Sequence, residues 1–326
     1  MSDLTLSIAL ERYDRHFPFF DGTVKPPPGL RLNVLQVGQT ADLRDGNNRH
    51  ERMIHDSAFD VCEFSMSTYL MAKNRSVPLT AVPIFPRRLF SASQMFVHRD
   101  SSLWEPKDLI GKKVGISSFQ TTLSLLAKGD LKFEYGVPWE KIHWFTTTGE
   151  KVKFTPKPGV QITTLPADTD LGAELAKGTI DAFFLPHPPH SVMSGHVPAR
   201  RLFKDTRAEE LRYFRKTGYF PIMHVLAFRE ELNERHPWLA DALMACYAQA
   251  KEISASYYED PNFSRLLWGR HDFEDERATL AADPWPIGFK ANRGNLLRFI
   301  EYSHDQGLIS EAYPPERLFA AQTLTS

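Results

Sequence analysis

KTGYFPIMHVLAF, residues 216–228, decides how the rest of the chain is read. The run is apolar enough for a buried strand, yet Pro221 and His224 interrupt it. Proline has no N–H to give a ladder and is tolerated in sheets at strand starts and edges. The stretch therefore reads as a crossing that ends near Pro221, followed by a strand through VLAF. Upstream, strand-like and helix-like periods alternate. Downstream lie long helical patterns without a comparable series of strands. A strand in that position returns the chain to a sheet begun earlier. The expected organisation is a first lobe from residues 1–92 and 223–326, with a second lobe, residues 93–222, inserted between.

The upstream elements fit this scheme. LTLSIAL (4–10) and LRLNVLQV (30–37) read as strands joined by the proline-rich turn KPPPG. A polar helical segment over 44–55 precedes FDVCEF (59–64), a strand that runs straight into TYLMAKNR, and LTAVPIF (79–85) is a further strand. From QMFVH (94–98) onward, KKVGI, IHWF and IDAFFL alternate with helices and form an α/β unit of their own. The helices within 229–258 and 294–307 are expected to cover the first sheet, and the tail after Phe319 to be loose. The fold class is α/β, two lobes with a ligand cleft between them, where strand C-termini and helix N-termini converge.

Composition narrows the function. In 326 residues, 42% are hydrophobic and 24% charged, and 39 Lys and Arg balance 40 Asp and Glu. A formal charge of −1 gives no global field for nucleic acid or an anionic membrane. Two cysteines, Cys62 and Cys246, are too few for a disulfide framework and read as buried free thiols. The N-terminus has no basic region ahead of an apolar core, so the expected location is cytoplasmic.

Candidate site residues gather at the predicted cleft. EFSMSTYL (63–70) places Ser65, Ser67 and Thr68 at a helix start, and GISSFQTTLSLL (115–126) places Ser117, Ser118, Gln120, Thr121 and Thr122 at another. Helix N-termini present N–H groups and a positive dipole end, which suits a carboxylate. Capping alone needs one hydroxyl per helix, and both clusters supply more. Arg87 and Arg88 follow a strand end in VPIFPRRLF, and a guanidinium matches a carboxylate bidentately. Arg87 is the stronger candidate. His187 and His190 in LPHPPHS follow another strand, without a spacing that specifies a metal site. His224 sits at the return crossing. Glu63 shares a strand face with Ser65, where it orients a neighbour or forms a structural ion pair. Trp285 reads as cleft stacking or, preferably, core packing.

The ordered pieces YDRHFPFFDGTV, FDVCEFSMSTYL, VPIFPRRLF, IGKKVGI, IHWF, YFRKTGYFPIMH and DPWPIGFKANRGNLLRF through HDQGL resemble the 4,5-dihydroxyphthalate decarboxylase family over nearly the whole chain. FPIMH with DPWPIG and FPRR is the narrow part of the match, and LPHPPHS departs from it, since relatives carry an arginine at the position of His187. The resemblance implies a type II periplasmic-binding-protein fold used as an enzyme, a carboxy-lyase that releases CO2 non-oxidatively from a hydroxylated phthalate. It implies phthalate catabolism and a small aromatic carboxylate as partner, with no nucleic acid and no membrane, and leaves room for a homo-oligomer.

Such chemistry protonates the carboxyl-bearing ring carbon and expels CO2, which calls for an acid of suitable pKa and fixed carboxylates. On this reading His224 is the general acid or base. Arg87 with Ser65 and Ser67 holds one carboxylate, Gln120, Thr121 and Thr122 meet the other side of the ring, and His187 and His190 contact ring hydroxyls. Glu63 orients Arg87 or His224. No cofactor is required, and a divalent metal at His187 and His190 is the open alternative. The rival functions are a non-catalytic solute-binding protein for an aromatic carboxylate and another lyase of this fold, such as a chorismate dehydratase.

Overall fold

The computed structural model describes residues 3–38, 49–280 and 283–326. Of the helical segment expected over 44–55, residues 44–48 lie outside the described residues. Strands β1 (Leu4–Leu10), β2 (Leu30–Gln36), β3 (Val61–Ser65) and β4 (Leu79–Val82) form one sheet. A second holds β5 (Met95–His98), β6 (Lys113–Ile116), β7 (His143–Thr146), β8 (Ile162–Thr164), β9 (Ala182–Phe184) and β10 (Ala199–Arg201). The last strand, β11 (His224–Arg229), returns to the first sheet and gives the order β2-β1-β3-β11-β4, against β10-β5-β9-β6-β7-β8 in the second.

The return strand explains the opening stretch. β11 runs antiparallel between β3 and β4, with His224 opposite Ser65 and Leu226 opposite both Glu63 and Val82. Its side chains alternate between two cores: Val225 and Ala227 pack on one face of the sheet, Leu226 and Phe228 on the other. A strand covered on both faces reads as a continuous apolar run. Ahead of it, Pro221 has no N–H but lends its carbonyl to Leu89 N at 3.0 Å, while Met223 N donates to Arg87 O at 2.8 Å. The outgoing and returning crossings thus lie side by side, bridged at Arg88 and Ile222.

Helices α1 (Phe17–Phe20), α2 (Arg49–His55) and α3 (Met66–Asn74) accompany the first strands. α4 (Thr122–Phe133), α5 (Leu171–Lys177), α6 (His190–Met193) and α7 (Thr206–Thr217) belong to the run of the second sheet. Four more follow the return: α8 (Glu230–Arg235), α9 (Leu239–Ser256), α10 (Gly269–Leu280) and α11 (Phe289–Asp305). Their ends follow local chemistry. Asp170 and Asp205 cap α5 and α7 through Ala173 N and Ala208 N, and Gly178 and Gly218 close them in the left-handed conformation.

The C-terminal helices divide their packing. α9 presents Leu239, Leu243, Cys246 and Ala250 to the first sheet, the spacing of one helical face. α11 instead crosses α4. At Gly129 the backbones approach so closely that a Cβ would lie 2.0 Å from the Tyr302 ring. Tyr302 Oη donates to the buried Asp130 at 3.0 Å and Gln306 Nε2 to Leu125 O at 2.8 Å. One continuous core therefore runs from Phe64 and Tyr69 through Ile116, Leu125 and Trp139 to Phe299.

The tail after Phe319 is not loose. Phe319 pairs in parallel with Ala81 at the edge of β4, and Ala320 N donates to Ala81 O at 2.9 Å. Ser326 accepts from Lys290 N and Phe289 N at the start of α11. Pairing the exposed edge of β4 satisfies backbone groups that would otherwise template another strand.

Candidate active site

β3 and β11 place two ionisable side chains in contact. His224 Nδ1 donates to Glu63 Oε1 at 2.5 Å, with the histidine 6% exposed and the glutamate fully buried. Burial opposes ionisation of Glu63, but Arg49 and His224 outweigh it, so the carboxyl is held well below the usual range. Its other oxygen accepts from Glu11 N at 2.9 Å and lies 3.8 Å from Arg49 Nη2. Burial pushes His224 down to about 4, against the pull of Glu63. The resting pair is a carboxylate and a neutral imidazole whose Nδ1–H is committed to it, leaving Nε2 as the acceptor.

Around this pair the two helix starts meet. Ser65 caps α3 through Thr68 N at 3.4 Å, and Ser65 Oγ lies 2.9 Å from Thr122 Oγ1 at the start of α4. Ser67 N also donates to Thr122 Oγ1, at 3.3 Å. Ser67 Oγ is buried without a hydrogen-bond partner among the described residues. Arg87 reaches the same place from the crossing. Its carbonyl accepts from His224 N at 3.2 Å, and its Nη2 donates across to His187 Nε2 at 3.2 Å. Thus Glu63, Ser65, Ser67, Thr122, Arg87, His187 and His224 converge from both sheets.

Other candidates serve different ends. Arg88 turns inward, 4% exposed, and donates to Phe220 O at 2.7 Å, Asn292 Oδ1 at 2.5 Å and Pro286 O at 3.2 Å. It ties the crossing to α11 rather than facing the cleft. Gln120 exchanges both ends of its amide with Val152, at 3.0 and 3.1 Å, so it fixes a loop. The N–H groups of Phe119 and Gln120, expected to bind a foreign carboxylate, are taken by Glu150 at 2.6 and 3.1 Å. Thr121 Oγ1 bonds Ser124 Oγ at 2.6 Å, and Ser117 Oγ bonds Thr148 Oγ1 at 3.2 Å. His190 is exposed and opens α6. Trp285 packs edge-on against Phe220 at 5.4 Å and under the Arg15 guanidinium at 4.6 Å.

Several site residues escaped the sequence reading. Arg49 is the counter-ion of Glu63: burial opposes its charge, but Glu63 with Glu11 outweighs that and holds the guanidinium above its usual value. His50 Nε2 accepts from Ser65 N at 3.2 Å, and its ring meets His224 edge-on at 5.7 Å. His16 Nδ1 donates to Glu11 O at 2.7 Å and lies 4.0 Å from Glu63. The Tyr13 hydroxyl is pushed up by burial and by Glu63, with Arg87 opposing. RHERMIH and YDRHF carry these groups on otherwise buried faces, and a charged residue in a buried stripe was the available signal. Among the described residues no cluster of three or more His, Cys, Asp and Glu is arranged to hold a metal, and no helix is long and apolar enough to cross a membrane.

No family model matches the chain. Individual relatives do. The 4,5-dihydroxyphthalate decarboxylase of Comamonas testosteroni is 31% identical over 335 aligned positions, covering 100% of this chain and 99% of the relative. That of Pseudomonas putida is 27% identical over 226 positions, or 67% of this chain and 84% of the relative. Among solved structures, the periplasmic aliphatic sulphonate binding protein SsuA from Escherichia coli superposes with a TM-score of 0.58 at 13% identity, covering 98% of this chain and 92% of that one. The desulfurization enzyme DSZB does so with a TM-score of 0.53 at 14% identity, over 98% and 97%. These likenesses establish a two-lobe, periplasmic-binding-protein-like fold.

Proposed function

Because the chain belongs to the 4,5-dihydroxyphthalate decarboxylase family, we propose that it is a carboxy-lyase that removes CO2 from a hydroxylated benzene-dicarboxylate, 4,5-dihydroxyphthalate foremost, and leaves protocatechuate. The observation that carries this reading is the buried Glu63–His224 pair beside Arg87 and the joined starts of α3 and α4.

The roles follow from charge. Arg87 pairs bidentately with one substrate carboxylate, exchanging its bond to His187 for two stronger ones. Ser65 and Ser67, at the positive end of α3, hold the second contact with that group, and Thr122 and His187 meet the ring from the other side. The dianion brings negative charge against a neutral imidazole, which favours its protonation. Imidazolium therefore forms with substrate bound, stabilised by Glu63. It gives its proton to the ring carbon that bears the leaving carboxylate, the C–C bond breaks toward CO2, and the ring regains aromaticity. The electron pair of that bond stays in the ring, and His224 is neutral again until solvent reprotonates it. A hydroxyl para to the leaving group supplies the electron density that makes the carbon basic.

We place the reaction in the cytoplasm, where the free, buried thiols of Cys62 and Cys246 stay reduced. The test is incubation of the purified protein with a panel of hydroxylated phthalates and benzoates, with and without chelator, following CO2 and the benzoate product. Turnover of a dihydroxyphthalate is the expected result. Binding of every compound with release from none overturns the proposal in favour of a solute-binding protein.

A further inference from the structure

A benzene-dicarboxylate carries two negative charges, and Arg87 answers one of them. Arg49 is already committed to Glu63 and Glu11, at 3.8 and 3.6 Å. A carboxylate taken out of water without a counter-charge is costly, so a further cation has to meet the second group. His50 and Lys151 stand where it can be met. His50, 9% exposed, accepts from Ser65 N through Nε2 at 3.2 Å, which fixes the proton of the neutral ring on Nδ1 and leaves that N–H as a donor. The ring stands edge-on to His224 at 5.7 Å between centroids, so a substrate in contact with His224 comes within reach of it.

Lys151 comes from the other lobe. Glu150 accepts from Phe119 N and Gln120 N, and Val152 is bound to the Gln120 amide, so Lys151 sits between two anchored residues. It reaches α2, where burial lowers its ammonium, Glu51 pulls it up and Arg49 pushes it down further. His50 in turn is lowered by burial and then by Arg49 and Lys151. Positive charge is thus in surplus around the pair, the condition that favours an anion. Arg87 acts instead on His224 and Tyr13, so the two cations flank His224 from different sides. We propose that His50 and Lys151 form a second carboxylate subsite, which takes the substrate carboxylate that Arg87 does not hold and makes the protein select ortho-dicarboxylates. The inference rests on the reading of the site as one for a benzene-dicarboxylate and adds what discriminates that class from monocarboxylates. A neutral His50 donates without setting another full charge beside His224, whose protonation the reaction needs.

The test is calorimetric titration of the purified protein with phthalate and with benzoate, with circular dichroism to verify folding. Neither ligand has the ring hydroxyl that drives loss of CO2, so binding is read apart from turnover. The wild type is expected to bind phthalate at least about tenfold more tightly than benzoate, the scale of one charge-assisted hydrogen bond. Lys151→Met and His50→Gln are each expected to weaken phthalate by about tenfold or more and to leave benzoate within about twofold. Glutamine can still accept from Ser65 N but has no donor where Nδ1 stands. Lys151→Arg is expected to keep the preference, and Arg87→Ala to weaken both ligands. A wild type that does not prefer phthalate, or that binds neither ligand, overturns the subsite. So does a folded Lys151→Met or His50→Gln variant that keeps the preference or loses both ligands equally. A preference that falls in these variants, in a protein that releases no CO2 from any dihydroxyphthalate, upholds the subsite and removes the carboxy-lyase reading alone.

Discussion

At the scale of single residues, the site rests on how one carboxylate is kept ionised in a dry place. Glu63 is fully buried and stays an anion because Arg49 and two backbone or ring N–H donors face it. Substituting Gln keeps the volume and removes the charge that stabilises imidazolium. Glu63→Gln is therefore expected to lower kcat by about 10²-fold or more, the scale of a lost general-acid contribution, with a smaller change in KM. Steady-state kinetics on the dihydroxyphthalate checks this. Arg87→Ala is expected to act the other way, raising KM at least tenfold with kcat changed less. The pH dependence has a definite sign. His224 in the free protein titrates near about 4, and the bound dianion raises that value. An acid must be protonated to act, so kcat falls as pH rises through a midpoint above about 4, and Glu63→Gln moves that midpoint down. His224, Arg87 and Ser65 were legible because they stand beside strand ends in the sequence. Arg49 and His50 were not, because their meeting with Glu63 and Ser65 is made by tertiary packing alone. Arg88 and Gln120 were misread for the same reason. Their neighbours in sequence face the cleft, but Arg88 is held inward by Phe220 and Asn292 and Gln120 is bound to Val152.

At the scale of elements, strands with four or more residues and two apolar faces were readable from periodicity. β8 and β10, three residues each and half-exposed, carry no period. α10 was missed because its pattern is charged all round. The most informative contact between elements is that of α4 with α11 at Gly129. Alanine in a helix interior ordinarily stabilises by about 1 kcal/mol over glycine. Here the added methyl would overlap the Tyr302 ring, and overpacking costs about 1–3 kcal/mol. Gly129→Ala is expected to lower the urea midpoint of unfolding, reversing the sign that helix propensity alone predicts. An unchanged or higher midpoint would show that α11 yields without loss.

At the scale of the whole molecule, two sheets are joined by paired crossings and strapped by a C-terminal helix. The two-sheet alternation was visible in the chain because each return to a sheet changes the period. The strap was not, since nothing local in residues 289–305 says which sheet they face. Three buried histidines at the site, His16, His50 and His224, are all held neutral chiefly by burial, the first and last down to about 4. The unfolded chain protonates them near the ordinary value of 6.5. Stability is therefore full above that pH and drains as pH falls toward 4, by up to about 3 kcal/mol for each of His16 and His224. Urea unfolding from pH 8 to 5 is expected to show a falling midpoint below pH 6.5. A flat profile would contradict the neutral assignment.

The central claim is that His224 moves the proton that replaces CO2. It is tested most directly by single-turnover release of CO2 from 4,5-dihydroxyphthalate with His224→Ala, at substrate concentrations that saturate binding. The account predicts a rate lower by about 10²–10⁴-fold, with substrate affinity within a few-fold of the wild type and an unchanged circular dichroism spectrum. Release at the wild-type rate from the folded variant would contradict it.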